Sequence, residues 1–228
     1  MSLQTNAEKS VVPLTEILRR MTGQIRKFSP AFSTTPAVHG NPYRVLISCL
    51  ISLRTKDTVT AGAAGRVFET ADTPERMRDM DRITLERLLY PAGFYRNKTR
   101  ILRAVSKELC TRFDGVVPSQ MEELLSLPGV GRKTANLVRA EGFDIPAVCV
   151  DTHVHRICNR LGAVSTRKPE ETESALRKLL PRRRWSDVNR ICVPFGQHVC
   201  VPLSPFCGGC RVRQWCQQRG VNRWRQMQ

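Results

Sequence analysis

Four cysteines near the end of the 228-residue sequence have a spacing suited to metal binding. Cys200, Cys207, Cys210 and Cys216 form the pattern C-x6-C-x2-C-x5-C within CVPLSPFCGGCRVRQWC. Four thiolates so close together can bind one zinc ion or a [4Fe–4S] cluster, and the spacing alone does not distinguish the two. The remaining cysteines lie in apolar segments and are predicted to be core thiols: Cys49, Cys110, Cys149, Cys158 and Cys192.

A second candidate is the stretch LPGVGRKTANLV at residues 127–138. Pro128 interrupts a short helix, and Gly129 and Gly131 permit a tight turn before the next helix begins. The free backbone N–H groups and the dipole of that second helix would form an anion site suited to a DNA phosphate. An ordinary corner between two helices is the alternative that a bare PGxG pattern allows.

Lys133 lies in the first turn of this second helix. A free lysine has a pKa of about 10.4, so the nucleophilic neutral amine is scarce at neutral pH. Desolvation, the positive end of the helix or a nearby base would be needed to increase the neutral fraction. From the residues alone, a solvated or phosphate-binding Lys133 is therefore favoured over a nucleophile.

Asp151 ends the apolar run AVCV, eighteen residues after Lys133, and precedes a helical pattern. We expect it to cap that helix by accepting backbone N–H groups. A carboxylate held at a helix N-terminus also stays ionised, and it could then stabilise positive charge that develops on a sugar.

The elements that must position these residues are predicted to be helices. Apolar residues recur at helical spacing, convincing two-residue alternation is absent, and no repeat has a fixed period, so the expected fold class is all-α. Pro118 is expected in the first turn of one helix, and Asp57 is expected to cap another. Helices are predicted at residues 13–29, 41–54, 57–69, 83–91, 95–113, 118–126, 132–142, 152–161, 169–180 and 184–199.

The charge of the chain restricts its partners. Lysine and arginine number 37 against 20 acidic residues, a net charge of +17, which predicts a polyanion: nucleic acid first and an anionic membrane surface second. No stretch approaches the roughly 20 apolar residues of a membrane span, and MSLQTNAEKS does not resemble a secretory signal. We therefore expect a cytoplasmic, nucleoid-associated protein that does not enter a membrane.

LPGVGRKTANLV followed by VDTHVHRICNRLG resembles the paired signature of the endonuclease III family of DNA glycosylases, and the similarity extends from NPYRVLISCL to Cys216. The resemblance implies a monomer with two helical lobes and a DNA-binding groove between them. Residues 35–145 would form a six-helix lobe with a helix-hairpin-helix motif. Residues 1–34 and 146–228 would form the other lobe, with a mainly structural [4Fe–4S] cluster on the four C-terminal cysteines.

The resemblance also implies an activity and a partner. The activity is that of a base-excision-repair DNA glycosylase with abasic-site lyase activity on damaged, oxidised pyrimidines, and the partner is duplex DNA with a damaged base or an abasic site. By resemblance, Lys133 attacks C1′ of a flipped nucleotide, Asp151 assists base loss, and β-elimination cuts the strand. The implied DNA-binding residues include the wedge Phe94 from the loop at residues 93–95, together with Gly129, Val130, Gly131, Arg132, Thr134 and His153.

Two positions depart from the family pattern. Arg54 in SLRTKD replaces the usual glutamine near the orphaned partner base, where it could fill the gap and donate to a guanine, or contact a phosphate. The loop VPLSPF has no charge where the family often has basic residues, and Arg211 and Arg213 could take over that contact. The lesion preference of the family therefore does not carry over on these residues.

Three other functions are compatible with the same motifs. A thymine or uracil mismatch glycosylase would share the fold and the cysteines. An adenine-mismatch glycosylase usually lacks the lysine and has a C-terminal recognition domain, whereas Lys133 is present here. A non-catalytic, metal-stabilised DNA-binding module would bind DNA with salt-dependent affinity and release no base.

Overall fold

The computed structural model describes residues 13–28, 35 and 37–226. Over these residues every regular element is helical and no strand occurs, which confirms the all-α prediction. None of the described helices combines the length and the apolar character that crossing a membrane requires. The α-helices of the described residues are α1 (Leu14–Ile25), α2 (Pro42–Ser52), α3 (Asp57–Thr70), α4 (Pro74–Asp79), α5 (Arg82–Leu89), α6 (Tyr95–Arg112), α7 (Met121–Ser126), α8 (Arg132–Leu137), α9 (Thr152–Leu161), α10 (Pro169–Leu179) and α11 (Asp187–His198).

The chain divides into two compact units, which we call the hairpin unit and the terminal unit. Of the described residues, 35 and 37–149 belong to the hairpin unit, and 13–28 and 150–226 belong to the terminal unit. The hairpin unit contains α2 to α8, and the terminal unit contains α1 and α9 to α11. The predicted lobes had their boundaries after residues 34 and 145.

Helix α2 lies at the centre of the hairpin unit. Its first turn is fixed by the Asn41 side chain, which accepts the N–H of Arg44 at 3.0 Å, and by Pro42 at a position where a missing N–H costs nothing. The helix packs against α3, α6 and α8. Its aliphatic side chains are almost completely buried, and each contributes on the order of 2 kcal/mol.

The helices of the terminal unit pack mainly against α11, which contacts α1 and α9. Helix α9 begins and ends with standard caps: Asp151 at its N-terminus, and Gly162 in a left-handed conformation at its C-terminus. Between α10 and α11, residues Arg182–Arg184 form a 3-10 turn, so the helix predicted at 184–199 begins later, at Asp187.

Several local predictions were wrong. Helix α7 begins at Met121, because Val117 and Pro118 are buried in an extended connection that precedes the helix. Asp57 is the first residue of α3 and Lys56 is its N-cap residue, so the carboxylate of Asp57 favours the helix dipole from within the first turn. Helix α4, which has six residues, was not predicted.

The predicted core thiols differ in their surroundings. Cys110 is partly exposed, and its thiol lies 3.7 Å from a carboxylate oxygen of Glu75, so the prediction of a core position was wrong there. The thiols predicted correctly as buried are Cys49, Cys149, Cys158 and Cys192.

Candidate active site and cysteine loop

The turn between α7 and α8 has the tight geometry that its glycines predict. Gly129 has a φ of +75°, and a Cβ atom built there would lie 2.8 Å from Cγ2 of Ile101 on α6. The N–H of Val130 donates to the carbonyl of Leu127 at 3.1 Å and closes the turn. Both the backbone angle and the packing therefore require glycine at position 129.

The N-terminus of α8 is open to an approaching group. Gly131 is the N-cap residue, and a Cβ atom built there would have no described heavy atom within 4 Å beyond its chain neighbours. Gly129, Gly131 and Arg132 are exposed, whereas Val130 and Thr134 are 7% and 4% exposed. Five hairpin residues were predicted to contact DNA, and of these Val130 and Thr134 can contact it mainly through their backbone atoms.

Lys133 is exposed in the first turn of α8. Its carbonyl accepts the Cys149 thiol at 3.5 Å, which fixes the backbone beneath the side chain. Within the described part of the hairpin unit, its ammonium forms no ion pair. The positive charge also acts on the buried Cys49: burial raises the pKa of that thiol to about 12, and the charge of Lys133 partly opposes the shift.

After α8 the helix continues as a π-helix, Val138–Gly142, rather than as the uniform helix predicted to residue 142. Glu141 of this segment is buried, and its carboxylate lies 3.1 Å from Nδ1 of His39. The carbonyl of Glu141 also accepts the N–H of Gly40 at 2.8 Å. These contacts anchor the far end of the helical segment that carries Lys133.

Asp151 caps α9 as expected, through one of its two carboxylate oxygens. Oδ1 accepts the N–H groups of His153 and Val154, each at 2.9 Å. Oδ2 receives no hydrogen bond from the described residues of the terminal unit. The side chain is partly exposed, so the carboxylate is fixed by one oxygen only.

The predicted DNA contact at His153 lies beside internal partners. Nδ1 of His153 is 3.1 Å from Nη2 of Arg156, and the ring packs against Gly196 of α11. The same guanidinium donates to the carbonyls of Gly196 and Cys200 at 3.0 and 2.9 Å. These contacts place the ring within the packing of the terminal unit, and a DNA contact by His153 stays a prediction.

Arg54 and Phe94 lie on two neighbouring loops of the hairpin unit. Both have left-handed backbones, with φ values of 54° and 56°. The guanidinium carbon of Arg54 lies 5.6 Å from the ring centroid of Phe94. Phe94 is 65% exposed, so its ring is not buried in packing between helices.

The four C-terminal cysteines line one cavity of the terminal unit, about 410 Å³ in volume including its open mouth. Cys200 Sγ accepts a hydrogen bond from Nη1 of Arg160 at 3.5 Å, and Cys216 Sγ accepts one from the N–H of Gln218 at 3.3 Å. Burial raises the pKa of Cys210 to about 12. A bound cation would therefore be needed to hold such thiols as thiolates, and a set of four sulfur donors suits iron or zinc.

The residues that assist these sulfurs were not identified from the sequence. Arg156 and Arg160 are four residues apart on α9, so they share one face of the helix. Both guanidinium groups reach the start of the cysteine loop, because Arg160 also donates to the carbonyls of Val201 and Pro202 at 2.7 and 2.6 Å. Their spacing was visible in the sequence, but it carries no information on which element that face contacts.

Comparisons with known proteins agree with this geometry. Residues 47–182 match the family model described as HhH-GPD superfamily base excision DNA repair protein. Endonuclease III of Thermotoga maritima is 47% identical over 177 residues, which cover 78% of this chain and 83% of that protein. The chain belongs to the endonuclease III family. Its fold also matches a solved structure of a trapped endonuclease III–DNA covalent intermediate, with a TM-score of 0.80 and 32% identity over 90% of this chain and 94% of that one.

Membership in this family confirms the prediction of a base-excision-repair enzyme that is both a DNA glycosylase and an abasic-site lyase. Its partner is duplex DNA with a damaged base or an abasic site. A plant relative, the chloroplastic endonuclease III homolog 2 of Arabidopsis thaliana, is 44% identical over 183 residues, and the match spans about half of that longer protein, 47%.

Proposed function

We propose that this endonuclease III family protein releases oxidised pyrimidines from duplex DNA, with Lys133 as its nucleophile and Asp151 as the carboxylate that assists base loss. The observation that supports this assignment is the position of Lys133. Its ammonium is exposed at the open N-terminus of α8 and has no ion-pair partner in the described part of its own unit. A lysine so placed can reach a sugar that approaches the helix N-terminus.

The proposed reaction has four steps. The neutral Nζ of Lys133 attacks C1′, the bond from C1′ to the base breaks, and the base leaves with the bonding electrons and takes up the proton that the amine nitrogen loses. The bond from C1′ to the ring oxygen then opens, the ring oxygen takes up a proton from water, and a protonated Schiff base joins Lys133 to the sugar. Loss of a C2′ proton breaks the bond from C3′ to its oxygen, which cuts the strand, and water hydrolyses the Schiff base.

Asp151 contributes a fixed negative charge. Because Oδ1 is held by two backbone N–H groups at 2.9 Å, the carboxylate enters the reaction already oriented. Its Oδ2 can stabilise the positive charge that develops on the sugar as the base departs.

The hairpin and the two exposed loops would bind the DNA around the reacting sugar. The backbone N–H groups of the turn at Gly129 and Gly131 bind a phosphate, and Arg132 adds a positive charge. A base inside the duplex is out of reach of an amine, so the nucleotide must leave the stack. Phe94 enters the gap as the wedge, and Arg54 contacts the orphaned partner base.

The four cysteines would hold a [4Fe–4S] cluster. Among the described residues, no three cysteine, histidine or acidic side chains form the close group expected around a single metal ion. The four thiols nevertheless line one cavity, and C-x6-C-x2-C-x5-C is the spacing that the family resemblance assigns to a cluster. The role of a bound cluster would be mainly structural, since its four cysteine ligands would tie residues 200–216 together beside α9. Elemental analysis should find about four iron atoms per chain and no zinc.

We also propose that the protein works at the nucleoid in the cytoplasm, since its charge of +17 favours association with nucleic acid. Partial loss of the protein from the nucleoid fraction at high salt would support this location. Recovery of the protein in a fraction without nucleic acid at low salt would contradict it.

Borohydride trapping on an abasic-site duplex tests the lysine directly. Wild-type protein should give a covalent adduct, and Lys133→Ala should give none while it retains salt-dependent DNA binding. Absence of an adduct from folded, DNA-binding wild-type protein would contradict the lyase mechanism and support a binding module.

A mismatch glycosylase is the second candidate, and Arg54 is the observation that favours it. A guanidinium can donate two hydrogen bonds to O6 and N7 of guanine, the base that remains opposite a mismatched thymine or uracil. Single-turnover base release should be compared on duplexes with an oxidised pyrimidine, a T·G mismatch and a U·G mismatch. Faster release of the oxidised pyrimidine supports the main proposal, and faster release from the mismatches overturns it.

A further inference from the structure

Lys98 of α6 is a buried lysine that the proposed chemistry does not use. Its residue is 4% exposed, and its Nζ donates to Oγ1 of Thr55 at 2.5 Å and to the carbonyl of Gly93 at 2.6 Å. Thr55 is 43 residues away in sequence, and Gly93 is five residues away. The ammonium of Lys98 therefore connects two separate loops, one that contains Thr55 and one that contains Gly93.

Both close partners of this ammonium are neutral oxygens. A buried positive charge with no carboxylate partner is unfavourable, and burial lowers the pKa of Lys98 to about 8. An apolar side chain would avoid that cost if the position served only to fill the core. The two hydrogen bonds therefore indicate a role that depends on holding the loops together.

The two loops carry the residues proposed to enter the DNA. Arg54 directly precedes Thr55, and Phe94 directly follows Gly93. A Cβ atom built on Gly93 would lie 3.0 Å from the carbonyl oxygen of Arg54, so the two backbones are in contact. Arg54 and Phe94 also share positive φ angles, which are unfavourable for residues with a side chain and must be stabilised by their surroundings.

We propose that Lys98 is a positioning residue that holds the Arg54 and Phe94 loops in a single arrangement, so that both side chains enter the duplex together. The inference rests on the proposed DNA-inserting roles of these two residues. Lys98 does not touch the DNA. It acts by fixing the carbonyl of Gly93 and the hydroxyl of Thr55, each directly beside an inserting residue.

A nucleophilic role for Lys98 does not fit its geometry. A depressed pKa increases the fraction of neutral amine at physiological pH, which is a property of reactive lysines. Its Nζ is, however, enclosed by the protein and occupied by two oxygens within 2.6 Å. A sugar carbon cannot approach this nitrogen unless both loops open.

Single-stranded DNA provides the decisive control, because an abasic site there leaves no gap in a duplex to fill. The experiment measures single-turnover strand cleavage by Lys98→Met on the same abasic oligonucleotide, alone and in a duplex. We expect a loss of about tenfold or more on the duplex and of less than about twofold on the single strand. Equal losses on both substrates in a folded variant would overturn the proposal.

Two further variants keep the test informative if Lys98→Met fails to fold. Thr55→Val removes one of the two acceptors and should slow duplex cleavage by roughly threefold, again without an effect on the single strand. Lys98→Arg retains a charged donor and should restore part of the duplex activity lost in Lys98→Met. Wild-type rates for Thr55→Val on the duplex would contradict the proposal independently of Lys98.

A double-mutant cycle separates loop positioning from general destabilisation. In a Phe94→Ala background the inserting ring is already missing, so Lys98→Met should cost less on the duplex than it does in wild type. Fully additive losses would overturn the coupling. Failure of the proposed function is distinguishable, because wild-type protein would then cleave neither substrate and no variant comparison would arise.

Discussion

Two regions of the hairpin unit each depend on a lysine, in opposite surroundings. At the hairpin, Lys133 is exposed at an open helix N-terminus, above a backbone fixed by Cys149. Beneath the neighbouring loops, Lys98 is 4% exposed and donates to two oxygens. The comparison shows that solvent access and freedom from hydrogen-bond partners decide which amine can attack a sugar. The pKa of the buried Lys98 is depressed, and yet its Nζ cannot reach a sugar.

The same substitution at both lysines should give different patterns of loss. Lys133→Met removes the proposed nucleophile, so cleavage should fall by at least about a thousandfold on duplex and single-stranded abasic DNA alike. Lys98→Met should slow the cleavage of the duplex and leave the cleavage of single-stranded DNA nearly unchanged. Parallel single-turnover assays on both substrates check this. A substrate-dependent loss in Lys133→Met would mean that the two lysines do not have separate roles.

Asp151 extends the comparison to the terminal unit, where one residue both caps a helix and is proposed to assist base loss. Asparagine caps a helix about as well as aspartate does, so Asp151→Asn should keep the thermal stability but release base roughly a hundredfold more slowly. Asp151→Ala should in addition lose about 1 kcal/mol of stability. Base release and thermal unfolding, measured on both variants, separate the two roles. If Asp151→Asn releases the base at the wild-type rate, Asp151 only caps the helix and does not assist base loss.

The two hairpin glycines provide a smaller and more local test. Gly129→Ala places a side chain at a φ of +75° and against Ile101, so it should lower the free energy of unfolding by about 1–3 kcal/mol. Gly131→Ala meets no described atom of the protein and should cost less than about 1 kcal/mol.

Binding of abasic-site duplex to the same two variants then tests the phosphate site. Gly131→Ala should weaken DNA binding by roughly tenfold despite its near-normal stability, because the added methyl group occupies the space in which a phosphate would lie. Unchanged affinity at low salt would show that the phosphate does not approach this glycine.

The pH dependence that comes from Lys98 tests the other lysine through stability alone. The pKa of Lys98 is about 8 in the folded protein, whereas the value for an unburied lysine, as in the unfolded chain, is 10.5. Between these two pH values the unfolded chain therefore binds more protons than the folded protein does. The destabilisation by the buried charge is therefore complete below about pH 8 and disappears as the pH rises towards 10.5. Between pH 7 and 9.5, wild-type protein should gain about 1–2 kcal/mol of unfolding free energy relative to Lys98→Met. Chemical denaturation of both proteins at the two pH values measures this difference. An equal change in unfolding free energy for wild type and Lys98→Met would mean that the ammonium is not desolvated.

The sequence was sufficient for features that depend on neighbouring residues. The cap at Asp151 and the apolar face of α9 follow from local spacing, and the structure contains both. The turn at Gly129 was predicted for the same reason, because a positive φ is a property of one residue. The extended segment at Val117 and Pro118 was missed, since its conformation depends on burial against the rest of the unit.

Features that depend on distant residues were not predictable from spacing. Lys98 was not identified as a candidate from the sequence, because its partners Thr55 and Gly93 come together only in the folded unit. The packing of the His153 ring against Gly196 and its contact with Arg156 were likewise not visible in the sequence, and a DNA contact by His153 stays a prediction. The sequence shows which face of a helix a residue occupies, and the fold determines what that face meets.

The central claim is that Lys133 is the amine that attacks the sugar, and peptide mapping of the borohydride-fixed adduct tests it most directly. Wild-type protein is trapped on an abasic-site duplex, digested, and analysed by mass spectrometry for the lysine that carries the sugar remnant. We expect the remnant on Lys133 alone. A remnant on Lys98 or on any other lysine would contradict the claim.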